Sequence, residues 1–188
     1  MDNVKEPEGG IVTYTGRVVD PFNPDPKTIC IEDVAHGLSL TCRFGGQCRT
    51  FYSVAQHSLV VGRIVPSHLA IFGLLHDAAE AYLTDIPRPF KSKISGYGKT
   101  EDKLLKTIFK AFQIPFKGLG KEIKDADNLA LAIEQYELLP NTEHWPHILS
   151  KDEYDMYNVA LGTAIEIPPS DVEEAFLERF WELKERIP

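Results

Sequence analysis

The chain lacks any stretch of about 18 consecutive apolar residues, and its most apolar segment, around Leu69–Leu75, is far too short to span a bilayer. It lacks a basic excess as well: 28 acidic against 20 basic residues leave a net charge of −8. That balance excludes a generic nucleic-acid surface, which needs a basic face to neutralise phosphates. A small anionic ligand stays compatible, because a few cations converging on one pocket suffice whatever the global sign. Cysteine is scarce. Cys30, Cys42 and Cys48 cannot all pair and do not have zinc-knuckle spacing, so they read as reduced thiols of a cytoplasmic protein. Internal repeats and low-complexity tracts are absent, and the acidic, polar start Met1–Gly10 does not read as a signal peptide. What is present is ordinary globular material. A composition of 43% hydrophobic and 26% charged residues argues against disorder, and 188 residues fit a single domain over 1–188.

Ile11–Val19 alternates and is rich in Val, Thr and Tyr, which predicts a strand; Ile29–Ile31 is a second candidate, and the two would form a hairpin-like flap across a proline-rich loop. From Ile31 onward the pattern is helical. A short helix runs to about Arg43–Gly46 and another from Ser53, its N-cap, to about Val65. A strongly apolar helix then spans about His68–Leu83, ended by Ile86-Pro87-Arg88-Pro89. Helices follow over about Thr100–Phe112, Lys121–Leu139 and Ser150–Ile165. Ser170-Asp171-Val172-Glu173 reads as a capping box for a last helix to about Arg186. The expected class is all-α, a helical bundle with a small N-terminal β flap.

His76-Asp77 is an adjacent pair on the apolar helix, where an unpartnered carboxylate would be costly. His57 stands in the preceding helix and Asp127 in a later one. Two imidazoles and two carboxylates from three antiparallel helices can meet in a bundle core, and such an N/O set suits a first-row divalent metal. Glu80 follows His76 by one helical turn, on the same face, and Asp85 sits at the helix end. These two acids exceed what packing requires and suit water activation and leaving-group protonation. His36, His68, His144 and His147 have no comparable context.

His57, His76-Asp77 and Asp127 resemble the H…HD…D signature of the HD-domain metal-dependent phosphohydrolases. The segments CRFGGQCRTFYSVAQHS, LLHDAAEAYLTDIPRPFKS and KDADNLALAIEQYELLP are similar to a narrower branch, the bacterial 5′-deoxynucleotidases and phage deoxynucleoside triphosphohydrolases. The likeness covers about Tyr14–Pro140; no motif is placed after it. It implies that His57, His76, Asp77 and Asp127 are metal ligands and that Glu80 and Asp85 are catalytic carboxylates. It also implies that Arg43, Phe44 and Lys91 contact substrate and phosphate, with Phe44 standing where several family members have Trp.

The resemblance further implies one divalent transition metal (Co, Mn, Zn or Fe), since no histidine lies between Ala78 and Ala126, with Mg²⁺ able to arrive on the substrate. The implied substrate is a deoxynucleotide, foremost dATP cleaved to deoxyadenosine and triphosphate; alternatives are a 5′-deoxynucleotidase acting on dNMPs and a non-catalytic nucleotide-binding protein. Which of Glu80 and Asp85 orients the water and which protonates the departing oxygen is open at this stage. No nucleic-acid polymer or membrane partner is expected. Branch members form homo-oligomers, and the Asn141–Leu149 segment with Trp145 is a candidate contact.

Overall fold

The computed structural model describes residues 9–140, 149–155 and 166–187. It is mostly helical, with one small antiparallel sheet. That sheet pairs β1 (Ile11–Val12) with β2 (Val18–Val19) and so lies wholly inside the segment expected to be a single strand. Its turn is closed by the Gly16 N–H donating to the Thr13 carbonyl at 2.9 Å. Ile31 is not a strand residue: Asp33 accepts the Thr15 N–H at 2.7 Å, tying the flap to the first turn of helix α1 (Ile31–Leu40).

Helix α2 (Val54–Ile64) occupies the centre, packed against α1, α3 (Ala70–Leu75), α7 (Lys121–Leu138) and the C-terminal helix α8 (Pro169–Lys184). Its start is set as expected. Ser53 Oγ accepts from Gln56 N at 3.2 Å, and Gln56 Oε1 accepts from Ser53 N at 2.9 Å, a reciprocal cap that fixes the turn holding His57. Close packing of α2 on α3 depends on two glycines. A Cβ on Gly73 would lie 3.0 Å from the Gly62 Cα, tighter than side chains ordinarily pack, so a larger residue at this crossing would push the two backbones apart by a few tenths of an ångström.

The expected long helix over His68–Leu83 is interrupted. After α3 the chain makes a tightened turn at His76–Ala79 and resumes as α4 (Glu80–Leu83). Ala78 N–H donates to Leu75 O at 3.1 Å and Glu80 N–H to Asp77 O at 2.9 Å, i→i−3 bonds of 3₁₀ type. The short α5 (Arg88–Lys91) and α6 (Tyr97–Ala111) follow. α6 starts one turn before the expected Thr100 and buries Leu104, Leu105, Ile108 and Phe109. Phe109 stacks on Phe72 and Phe116, and Phe112 meets Phe180 of α8 edge-on, which seals the far side of the core. The capping box expected at Ser170 is not formed: α8 begins at Pro169, whose missing N–H is harmless at that position, and Ser170 Oγ turns to Asp171. Of the expected Ser150–Ile165 helix, 151–155 are helical, Ser150 precedes them as a non-helical residue, and 156–165 lie outside the described residues. Among the described residues no helix is long and apolar enough to cross a membrane.

Candidate metal centre and its cavity

Three elements bring four side chains together. α2 supplies His57, the tightened turn supplies His76 and Asp77, and the first turns of α7 supply Asp127. One ligand atom each from His57, His76 and Asp127 lies within 4.8 Å of the others, so the cluster could hold a metal ion. The two Nε2 atoms are 3.2 Å apart. Asp127 Oδ1 is 3.2 Å from His57 Nε2, while Asp77 Oδ2 is 3.1 Å from His76 Nε2 and 3.7 Å from His57 Nε2.

The protons on these rings follow from their outer partners. His76 Nδ1 donates to the Gly73 carbonyl at 2.8 Å, and His57 Nδ1 donates to Glu134 Oε1 at 2.7 Å. In the neutral tautomers so fixed, both Nε2 lone pairs face inward, toward each other and toward two carboxylates. Four electron-pair donors converging in a buried place require a cation or a proton between them, and this donor set fits a divalent metal. In the absence of a metal a proton fills that role. Burial and the Arg43 cation oppose charging of His57, but Glu134 and Asp127 outweigh them and raise its pKa to about 9. Burial likewise disfavours charge on Asp77, and His76, His57 and Arg43 overcome it, holding the carboxyl far below its usual range.

Over this cluster opens a cavity of about 280 Å³ whose lining includes Arg43, Phe44, Asp77, Glu80, Asp85, Lys91 and Asp127. Of the nine site residues that the resemblance implies, seven are on its wall, and His57 and His76 lie against the wall residues Asp77 and Asp127. Glu80 is almost wholly buried, with Oε1 3.5 Å from Lys91 Nζ and Oε2 without a hydrogen-bond partner among the described residues. Burial, then the charges of Asp77 and Asp85, push its carboxyl well above the usual range. Asp85 is raised too, chiefly by burial. Lys91 Nζ also pairs with Glu101 Oε1 at 2.5 Å and lies over the Tyr97 ring.

Two backbone kinks aim these groups. Phe44 (φ 56°) is left-handed inside the Arg43–Gly46 turn and places its ring under the Arg43 guanidinium. Thr84 (φ 64°, ψ 160°) adopts a conformation normally left to glycine and turns the chain from α4 into the pocket at Asp85.

Sequence reasoning missed three partners. Glu134, buried on α7, receives His57 Nδ1 and, at 3.0 Å, Arg43 Nε. Its spacing from Asp127, two helical turns along α7, was the available signal. Arg88 Nη2 pairs with Asp127 Oδ2 at 2.7 Å at the cavity rim, and Glu101 holds Lys91. His36 is remote from the cluster, paired with Glu173 at 2.9 Å and stacked on Tyr14. His144, Trp145 and His147 lie outside the described residues.

No family model matches the chain. It is 36% identical over 178 residues to the uncharacterized protein YfdR of Escherichia coli (strain K12), an alignment covering 93% of this chain and 96% of that protein. It is 32% identical over 180 residues to an uncharacterized protein of Rhodobacter capsulatus, covering 88% of this chain and 90% of that one.

Proposed function

The chain belongs to the family of the Escherichia coli YfdR protein, and we propose that it is a metal-dependent phosphohydrolase of the HD-domain type acting on deoxynucleotides, with dATP cleaved to deoxyadenosine and triphosphate as its leading reaction. The observation that carries this reading is the inward convergence of His57, His76, Asp77 and Asp127 beneath a cavity walled by both acids and cations. Those four would hold one divalent transition metal (Co, Mn, Zn or Fe), which when bound would polarise a phosphoryl oxygen and acidify a nearby water.

The chain's own residues account for the rest. Lys91 Nζ, at the cavity wall, offers a point charge to phosphate oxygens, and Arg43 offsets the negative charge that grows as the water oxygen adds to phosphorus. The bond from phosphorus to the 5′ oxygen breaks, and that oxygen needs a proton. Glu80, whose carboxyl burial and then the charges of Asp77 and Asp85 push well above the usual range, is the group suited to donate it, and Asp85 is then the acceptor that orients the water. Glu80→Gln is expected to retain metal yet lose roughly 10²–10⁴-fold in turnover. Metal analysis alongside the rate checks this, and wild-type-like turnover would leave Glu80 a structural role only.

A second reading, release of phosphate from a dNMP, is favoured by a specific observation. Arg43 is already engaged by Glu134 and Asp77, Lys91 by Glu101 and Arg88 by Asp127, so the wall offers little uncommitted positive charge for a triphosphate tail. The cavity, at about 280 Å³, is also just below the usual range of about 300–1,000 Å³ for ligand sites. Chromatography of dATP and dAMP digests with Mn²⁺ or Co²⁺ decides. Deoxyadenosine with intact triphosphate supports the leading reaction, activity on dAMP alone supports the second, and stepwise dADP then dAMP overturns attack at the α-phosphorus.

The assembly belongs to the same proposal: a homo-oligomer in solution. The segment around Trp145 expected to form its contact lies outside the described residues. Sedimentation at micromolar concentration is expected to give a species heavier than the 21.1 kDa chain, and a monomer alone overturns the expectation.

A further inference from the structure

Two half-buried thiols stand at the ends of the loop that carries Arg43 and Phe44. The Sγ atoms of Cys42 and Cys48 are 3.7 Å apart and unlinked. Both are aimed at the same acceptor, the Arg43 carbonyl oxygen, at 3.5 Å from Cys42 and 3.7 Å from Cys48. The backbone on either side is pinned. Cys42 bridges to Ser53, the Arg43 N–H donates to Tyr52 O at 2.9 Å, and the Arg49 N–H donates to Leu138 O at 2.8 Å. Between the pins, Phe44, Gly45 and Gly46 all have positive φ (56°, 60° and 76°), and this left-handed run folds the chain back so that the two sulfurs meet. To reach the disulfide length of about 2.05 Å they need approach by less than about 2 Å, within reach of small rotations of two side chains already in contact.

We propose that Cys42 and Cys48 form a modification site, a thiol pair that exchanges with a low-molecular-weight disulfide of the glutathione class and closes a ring around Arg43 and Phe44. In the first step one cysteine thiolate attacks a sulfur of the small disulfide. A protein–glutathione bond forms, the small S–S bond breaks, and the expelled glutathione thiolate takes up the proton the cysteine gave up. In the second step the other cysteine, losing its proton, attacks the protein sulfur of that mixed disulfide, and the second glutathione leaves as a thiol. Two protein thiols are oxidised and one small disulfide is reduced to two thiols.

Cys30 is excluded from the pair. It is buried at the start of α1 and donates to Asp33 Oδ2 at 3.0 Å, which makes it an internal control. Closing the ring removes both S–H donors from the Arg43 carbonyl and restricts the torsions of the loop that presents Arg43 and Phe44 to the cavity. The exchange itself is independent of the activity proposed above; only its consequence for turnover rests on that reading.

The test uses the full chain equilibrated with glutathione buffers of rising oxidised share, quenched in acid, alkylated and mapped by mass spectrometry. The expected result is a protein lighter by the two thiol hydrogens, alkylated at Cys30 alone, with a peptide linking Cys42 to Cys48 and all three thiols restored by reductant. Cys42→Ser and Cys48→Ser are each expected to stop at a mixed disulfide, one glutathione heavier. Three alkylated thiols at every ratio, or wild-type protein that halts at the mixed disulfide, overturns the proposal. Turnover of dATP and dAMP is read on the reduced and oxidised forms. A linked pair with no turnover in either form would sink the phosphohydrolase reading and leave the modification site standing.

Discussion

Asp127→Ala is expected to lose bound metal and, with it, all measurable turnover. Asp127 Oδ1 is one of the donors facing the inward Nε2 atoms, and its carboxyl is held below its usual range by His57 and His76 against the opposing effect of burial. Removing it takes away a ligand atom and a negative charge at once, leaving an incomplete site with the wrong geometry. The loss in metal affinity should exceed the roughly 10–100-fold typical of a lost outer partner. His57→Ala and Asp77→Ala should behave alike. Arg88→Ala is the informative control: Arg88 touches the other oxygen of Asp127 from the solvent side, so its removal should leave the metal in place. Elemental analysis of the purified variants is the measurement, and full metal content in Asp127→Ala would refute the ligand assignment.

What the sequence disclosed and what it concealed divide along a physical line. Residue-type patterns carry the donor set, because His, His-Asp and Asp at those places are few and costly to bury. Local chemistry also carries the start of α2, where Ser53 and Gln56 cap each other, and the end of α7 before Pro140. The break at His76–Ala79 has no such mark. Its residues, His-Asp-Ala-Ala, are all compatible with a helix, and the tightened turn is visible only in the i→i−3 bonds of the fold. Phe44 and Thr84 were equally silent, since neither is a glycine and both adopt left-handed backbone to suit the cavity. The expected N-terminal flap is present, but its strands fall elsewhere for a similar reason. Alternation from Ile11 to Val19 reads as one strand, whereas the turn at Gly16 folds it into two. Glu101 stands in the first turn of an expected helix and Arg88 between the prolines that end another, with no local sign of a partner; only the fold brings them to Lys91 and Asp127.

Glu134 is the residue whose removal should cost the fold most among the groups around the site. Its carboxylate is nearly fully buried, and it stays ionised although burial opposes this, because Arg43 and His57 stabilise the charge. One oxygen takes the Arg43 Nε–H and the other the His57 Nδ1–H, so it holds the substrate-side cation and the deepest imidazole at once. Glu134→Ala strands a buried guanidinium, which is left with Asp77 at 3.9 Å as its carboxylate partner. Breaking a buried charge pair from one side costs about 3–5 kcal/mol. In a chain of this size that corresponds to a fall in melting temperature of about 6–20 °C. Glu134→Gln keeps the shape and one acceptor oxygen, so it should lose less stability. It can no longer serve both donors with a full charge, and the His57 ring is then free to turn. That variant is expected to fold and to bind metal about 10–100-fold more weakly. Thermal melting of the metal-free proteins, followed by metal titration of Glu134→Gln, separates the two effects. Wild-type melting in Glu134→Ala would mean that Arg43 finds another partner, and wild-type metal affinity in Glu134→Gln would mean that Gly73 and the packing of α2 orient the histidines without it.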